Sequence, residues 1–224
     1  ASVSSRMPAV SFVSNGRYLP RNAWRNLAVN HLNVDQATLT IRHVPPENLV
    51  FWMSYDSSET TNERDSNLAV QKTIPLKGSP DAMTTTWIDV ASWLPSDTKG
   101  VLELVLSANG AQRNSARLLL TEMSIVAKKA ATDPKEPWRE SVRVWAMGMD
   151  ESNLLSGVEM KLVRKSGLVV AKCTTSGEAG CTLKAERPDE DPSAPFAIIA
   201  TKGSDLTYLK YADLRTDVAD SDVQ

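Results

Sequence analysis

Few side chains in this 224-residue chain are able to do chemistry. There are two histidines, His31 and His43, and two cysteines, Cys173 and Cys181. Nucleophilic catalysis needs a base within hydrogen-bond reach of its nucleophile. His43 falls inside an alternating strand pattern, on the polar side of Leu39 and Ile41, and His31 follows the short apolar run Leu27-Ala28-Val29. Neither is accompanied by a G-x-S-x-G nucleophile elbow. Cys173 sits mid-strand with no cationic helix end beside it to activate a thiol. The acidic run Asp189-Glu190-Asp191 lacks the spaced carboxylates of a calcium loop, and its flanking prolines favour an extended, solvated segment. Nothing marks a carboxylate pair for glycoside chemistry. Structural zinc needs four ligands at short spacing, and two cysteines eight apart with two distant histidines do not supply them. The expectation is no catalytic residue, no metal site and no cofactor.

Cys173 and Cys181 instead read as architecture. They flank the turn Ser176-Gly177-Glu178-Ala179-Gly180. If residues 174 and 180 pair across a hairpin, the two cysteines become direct neighbours on one face. Opposed Cβ atoms in an antiparallel pair lie about 4.5–5.5 Å apart, near what a disulfide needs. The expectation is a hairpin staple formed in an oxidising compartment; the alternative is two unpaired small apolar side chains in a β core.

The elements around these residues are strands. Gly157 to Leu183 holds three apolar and β-branched runs separated by two glycine turns, Lys165-Ser166-Gly167 and 176–180, which predicts a β-meander. Earlier, strands are predicted at 9–13, 27–29, 37–44, 68–76, 84–90, 101–106 and, as one long strand, 117–126. A short helical segment is expected from Pro46 to Trp52, because proline suits a first helical turn, and a one-turn helix at 91–95. Pro75 marks 68–76 as an edge strand. Ser54 to Asn67 has almost nothing apolar to bury and predicts a solvated loop. Beyond the meander, strands are predicted at 141–147, 196–202 and 206–211. Turn signals at this spacing predict an all-β chain of two tandem antiparallel β-sandwiches, fibronectin-III-like in layout. The expected organisation is a disordered start at 1–7, a first sandwich at 8–127, a polar, proline-bearing linker at 128–137, and a second sandwich at 138–224 with an acidic tail.

The totals exclude several classes. Net charge is −2 with lysine and arginine scattered singly, so no basic stripe points to nucleic acid. Apolar runs stop at five or six residues, far short of the roughly 20 that span a bilayer. The chain opens without an initiator methionine and stops without a closing element, which predicts a processed or excised piece of a longer protein. Of the six tryptophans, Trp87, Trp93 and Trp145 lie in or beside strand patterns and are expected in the core. Trp24, Trp52 and Trp138 lie near loops or element starts; packing at the sandwich ends or against the neighbouring domain is expected for them, and Trp138, next to the linker, is the candidate interdomain contact.

Three stretches carry a family resemblance: Val142-Arg143-Val144-Trp145-Ala146; Leu155 to Val163 leading to Cys173-Thr174-Thr175-Ser176-Gly177-Glu178-Ala179-Gly180; and Gly203-Ser204-Asp205-Leu206-Thr207-Tyr208-Leu209 followed by Ala212-Asp213-Leu214-Arg215. In this order they resemble a macroglobulin-like domain of the bacterial alpha-2-macroglobulins, over residues 137–220. A G-x-x-V-x-L strand precedes a T-D-x-x-G turn and then a D-L-x-Y-L strand, except that Ser176 and Gly177 stand near the usual aspartate. Residues 9–126, with Gly16 to Pro20 and Val29 to Asp35, are similar to an adjacent domain near that family's N-terminus. The resemblance implies a large periplasmic protein, often lipid-anchored to the inner membrane through a segment outside this chain. It implies a trap that is cut in a bait region, rearranges and encloses a protease, in many members through a Cys-Gln thioester in a C-x-E-Q motif. Cys173 and Cys181 do not match that motif, since Thr-Leu-Lys follows Cys181. The implied partners are other domains of the parent chain, target proteases, and a peptidoglycan-building penicillin-binding protein. The implied role is non-catalytic structure within a system of envelope defence. A competing expectation is a surface adhesin binding through loop 54–67, or a glycan-binding module using Trp24 or Trp52.

Overall fold

The computed structural model describes residues 5–13, 21–54, 66–130, 135, 139–186 and 195–214. It divides into two compact units, the first essentially residues 1–120 and the second essentially 121–224.

The first unit contains β1 (Ala9–Phe12), β2 (Leu27–Leu32), β3 (Gln36–Val44), a short helix α1 (Leu49–Ser54), β4 (Asn67–Pro75), β5 (Thr84–Ile88), β6 (Gly100–Ser107) and β7 (Asn114–Leu120). They form two antiparallel sheets, ordered β1-β2-β5 and β4-β3-β6-β7. Strand periodicity dictates which side chains meet. On β3, Ala37, Leu39 and Ile41 point inward and are buried, and they pack with Val29, Phe12, Leu104, Leu106 and Ile74 from both sheets. Pro75 ends β4 on a sheet edge, where a missing N–H costs no ladder bond. The segment from Pro46 is helical as expected, a 3-10 turn running into α1.

The disordered start is corrected in part. Ser5 and Arg6 are tied down: the Ser5 hydroxyl and the Arg6 N–H donate to Asp81 Oδ1 at 3.1 and 2.8 Å, and Asn33 Nδ2 donates to the Arg6 carbonyl at 2.8 Å. Asn33 and Asp81 clamp each other reciprocally, side chain to side chain and backbone to side chain, at 2.8 Å. Both take positive φ, 51° and 57°, which short polar side chains tolerate best. Donors from Asn33, then Arg6 and Ser5, hold the Asp81 carboxyl below its ordinary value of 3.8. The clamp is therefore at full strength above that pH and weakens as pH falls through the lowered value.

The second unit contains β8 (Met123–Lys129), β9 (Arg139–Gly148), β10 (Leu154–Leu155), β11 (Glu159–Arg164), β12 (Val169–Thr174), β13 (Cys181–Glu186), β14 (Pro195–Lys202) and β15 (Asp205–Lys210). One sheet has β8 along one side of β9, with β13 and β10 in succession along the other. The other is ordered β12-β11-β14-β15. Between them lie Met123, Val142, Val144, Met160, Leu162, Leu183 and Ile198, each at most 1% exposed.

Two expectations fail here. The predicted long strand 117–126 breaks at Thr121-Glu122: β7 closes the first unit and β8 opens the second. The Thr121 hydroxyl bonds the Met123 N–H at 3.1 Å, the Glu122 N–H donates to Asp205 Oδ2 at 3.0 Å, and the Glu122 carbonyl accepts from Met149 N–H at 2.9 Å. Backbone groups committed in this way cannot continue the β7 ladder. The boundary thus falls at Leu120/Thr121, not at 128–137. Residues 128–129 belong to β8, the Ala130 N–H donates to the Ser141 carbonyl at 2.8 Å, and β8 pairs with β9. The rest of the supposed linker, except Lys135, lies outside the described residues, as do Trp138, the interior of loop 54–67, the acidic run 189–191 and the tail from 215.

The second failure concerns the meander. β11 and β12 do form a hairpin, with Gly167 at φ 85°. The chain then leaves the sheet: β12 stays beside β11, while β13 pairs with β9 in the facing sheet. Residues 174–181 are an arch between layers, not a hairpin within one. The disulfide Cys173–Cys181, with Cα atoms 5.9 Å apart, therefore links the two sheets. Gly180 turns the arch at φ 56° and ψ −143°, a combination open essentially to glycine alone. A Cβ there would collide with the Val144 carbonyl and lie 2.8 Å from the Trp145 indole. That indole donates to the Glu178 carbonyl at 3.0 Å, and Arg143 donates to the Ala179 carbonyl at 2.9 Å. Thr175, 3% exposed, donates to the Leu155 carbonyl at 2.7 Å and accepts from Val158 N–H at 3.1 Å, fixing the other foot.

Closing so short a loop stabilises by about 2–3 kcal/mol in the chain-entropy account. Replacing both cysteines by alanine is expected to lower unfolding stability of the second unit by about that amount in a urea titration. Gly180→Ala is expected to cost about 2–4 kcal/mol, combining backbone strain with steric displacement, and to do so with the disulfide still closed in a thiol assay.

Candidate functional site

Among the described residues the two histidines and the two cysteines are each engaged within the fold. His31 on β2 is 1% exposed, and its Nε2 lies 3.0 Å from Thr86 Oγ1 on β5. Burial disfavours the charged ring and holds its pKa below the ordinary 6.5. His43 on β3 is half-buried, and its Nε2 donates to the Lys99 carbonyl at 2.9 Å. Among the described hydrogen bonds His31 meets the Thr86 hydroxyl and His43 a backbone carbonyl, and neither ring is bonded to a carboxylate that would orient it as the base of a hydrolytic triad. Both cysteines are consumed in the disulfide. Among the described residues no group of three histidine, cysteine, aspartate or glutamate side chains is placed to hold a metal ion.

One buried charge stands out. Glu103 on β6 is 3% exposed, accepts a short hydrogen bond from the Trp52 indole N–H of α1, and lies 3.6 Å from the Arg117 guanidinium on β7. That guanidinium also stacks 4.8 Å from the Trp52 ring centre. The cluster joins helix to sheet. Both contacts are made by Oε1, and an indole donor with a nearby cation is what lets an interior tolerate a carboxylate.

The tryptophans correct the sequence reading in both directions. Trp24 and Trp52 are each 4% exposed, so the glycan-binding alternative loses the aromatic surfaces it named. Trp93 and Trp145 are half-buried, each under a cation, Lys72 and Arg143 respectively. Trp87, expected in the core, is 64% exposed. Register explains it: Thr86 and Ile88 take the inward positions of β5, which leaves Trp87 and Thr85 outward. The described hollow in the first unit, 340 Å³ and open, is lined by Gln36, Thr38, Thr73, Ser107, Asn109 and two alanines, with no charge and no aromatic platform.

No protein-family model matches the chain, and no curated protein matches it in sequence. Solved structures do. A crystal structure of native alpha-2-macroglobulin from Escherichia coli spanning domains NIE-MG1 aligns with TM-score 0.69 at 18% identity, covering 92% of this chain and 98% of that one. The fold is that of a bacterial alpha-2-macroglobulin segment. A Salmonella alpha-2-macroglobulin covers the whole of this chain with TM-score 0.66 at 19% identity, and trypsin-activated alpha-2-macroglobulin from Escherichia coli gives 0.67 at 17%. The chain spans 13% and 14% of those two longer chains. The two-sandwich, macroglobulin-like architecture expected from the sequence is present. No motif revealed the Trp52–Glu103–Arg117 cluster, because its three members come from separate elements; only the odd charge within the apolar run 101–106 hinted at it.

Because His31 is kept neutral by burial, its contribution to stability is complete above pH 6.5 and declines as pH falls through its lowered pKa. Thermal melts of the first unit between pH 7.5 and pH 5 are expected to show falling stability on acidification, with a shallower slope in His31→Gln.

Proposed function

We propose that this chain is a non-catalytic scaffold segment of a bacterial alpha-2-macroglobulin-like protein that traps endopeptidases and protects the cell envelope. The observation that supports this reading is the match to the NIE-MG1 segment of the Escherichia coli protein over nearly the full length of both chains. The side-chain chemistry is in keeping with it. Histidines pin strands, cysteines tie sheets, and the buried glutamate joins a helix to a sheet. In this reading the chain holds its place in a longer molecule that carries any bait region. Its partners are the other domains of that molecule and, through them, proteases. A penicillin-binding protein is a further proposed partner. The proposed location is the periplasm, with a lipid anchor on the parent; a disulfide fits an oxidising compartment. No described helix is long and apolar enough to cross a membrane.

The test mixes the complete gene product with a broad-specificity protease and follows native-gel mobility, with and without methylamine. Compaction with retained protease is the expected result, and methylamine sensitivity would add a thioester. Progressive degradation without retention would contradict the trap. Residues 1–224 alone are expected to hydrolyse no peptide or ester substrate.

A further inference from the structure

Every sheet in a sandwich has edges, and an uncovered edge recruits another strand unless something blunts it. In this chain most edges are blunted. β4 carries Lys72 and Pro75, β7 Arg117, β8 Lys128 and Lys129, β12 Lys172, β13 Lys184, and β15 Lys210. β1 has no charge, but the Phe12 N–H already donates to Asn114 Oδ1 at 3.0 Å. β10 is two residues long, and the Leu155 carbonyl is taken by Thr175.

β5 is the exception. It is the outer strand of the β1-β2-β5 sheet, paired only with β2 among the described strands. Residues 82–88, Ala-Met-Thr-Thr-Thr-Trp-Ile, contain no charge, no proline and no glycine, and are rich in β-formers. Met83 and Trp87 are 57% and 64% exposed, and Thr85 between them is exposed as well. Among the described residues the edge therefore offers a backbone ladder with no second strand on it and an apolar outer row at the alternation a strand presents.

The ends of this window choose the occupant. Asp81 and Asp89 bound it, and both are exposed; Asp81 Oδ1 already accepts from Ser5, Arg6 and Asn33, and Asp89 Oδ1 from the Ser92 N–H, so each presents the charge of a carboxylate fixed in place. A second copy pairing antiparallel with Met83 set against Trp87 would bring Asp81 of one copy to Asp89 of the other at both ends, and like charges directly opposed are destabilising. An incoming segment with basic residues at its ends meets the opposite situation. We infer that the outer edge of β5 is a strand-addition site for an extended protein segment, apolar at alternate positions and basic at its ends. The backbone ladder supplies affinity, while Trp87 and Met83 select the apolar side chains and the two aspartates the flanks. The site is independent of the trapping role.

The test uses the 224-residue chain, isotope-labelled, and a synthetic peptide Lys-Thr-Val-Thr-Val-Thr-Val-Thr-Lys with blocked ends. Amide shifts and hydrogen exchange are followed residue by residue. The peptide is expected to shift amides 84–88 and slow their exchange about tenfold, with weaker binding by a glutamate-ended twin. Trp87→Lys, a surface change that leaves the rest of the spectrum intact, is expected to abolish the effect. The inference is overturned by no protection of β5 at millimolar peptide, by equal protection of the lysine-bearing edges, by unchanged binding in Trp87→Lys, or by equal binding of the two peptides. Protection of β5 that grows with chain concentration alone also overturns it, because the occupant would then be a second copy.

Discussion

Apolar strands with one buried face must find a second layer, and in the second unit the chain does so within seven residues. Between Thr174 and Cys181 it stops extending the sheet of β11 and β12 and enters the sheet of β9. Everything at that end is subordinate to this crossing. Gly180 supplies a backbone angle other residues resist, Trp145 and Arg143 hold the arch by its carbonyls, and Thr175 anchors its start. The disulfide closes the arch across the layers. Without the crossing, Leu183 and Ala185 would lie beside Val170 and not opposite Met160 and Leu162, and the core would lack one wall.

Much of the fold was legible because its signals are local. Alternation on β3 named Ala37, Leu39 and Ile41 as one face, and glycine and asparagine marked the turns. The disulfide pair was legible from spacing, although the reason given for it was not the real one. A hairpin and an arch of equal length look alike in sequence, since both need a glycine-bearing turn between two apolar runs; which sheet the second run joins is decided by β9, some forty residues earlier. The domain boundary was misplaced for a related reason. Residues 117–126 read as one apolar strand, and only the capture of Glu122 by Asp205 and Met149 shows where it breaks. Trp87 was misplaced because a one-residue shift in register reverses a strand's faces.

The candidate site was less legible than the fold. Sequence identified the scarce reactive residues but not their tasks, which depend on distant partners: Thr86 for His31, Lys99 for His43, Trp52 and Arg117 for Glu103. All three arrangements spend polar groups on holding strands and a helix together. The architecture is shared with the bacterial alpha-2-macroglobulin segment at 18% identity, which shows how little sequence this fold must retain. What persists is the pattern of buried faces and layer changes.

The crossing is the claim on which this account of the second unit rests, and cross-strand proton contacts in solution test it most directly. Nuclear Overhauser spectra of the 224-residue chain should place α-protons of 181–186 against those of 139–144, with no ladder to 169–174. A continuous ladder between 169–174 and 181–186 would make the arch a hairpin and contradict the two-layer arrangement described here.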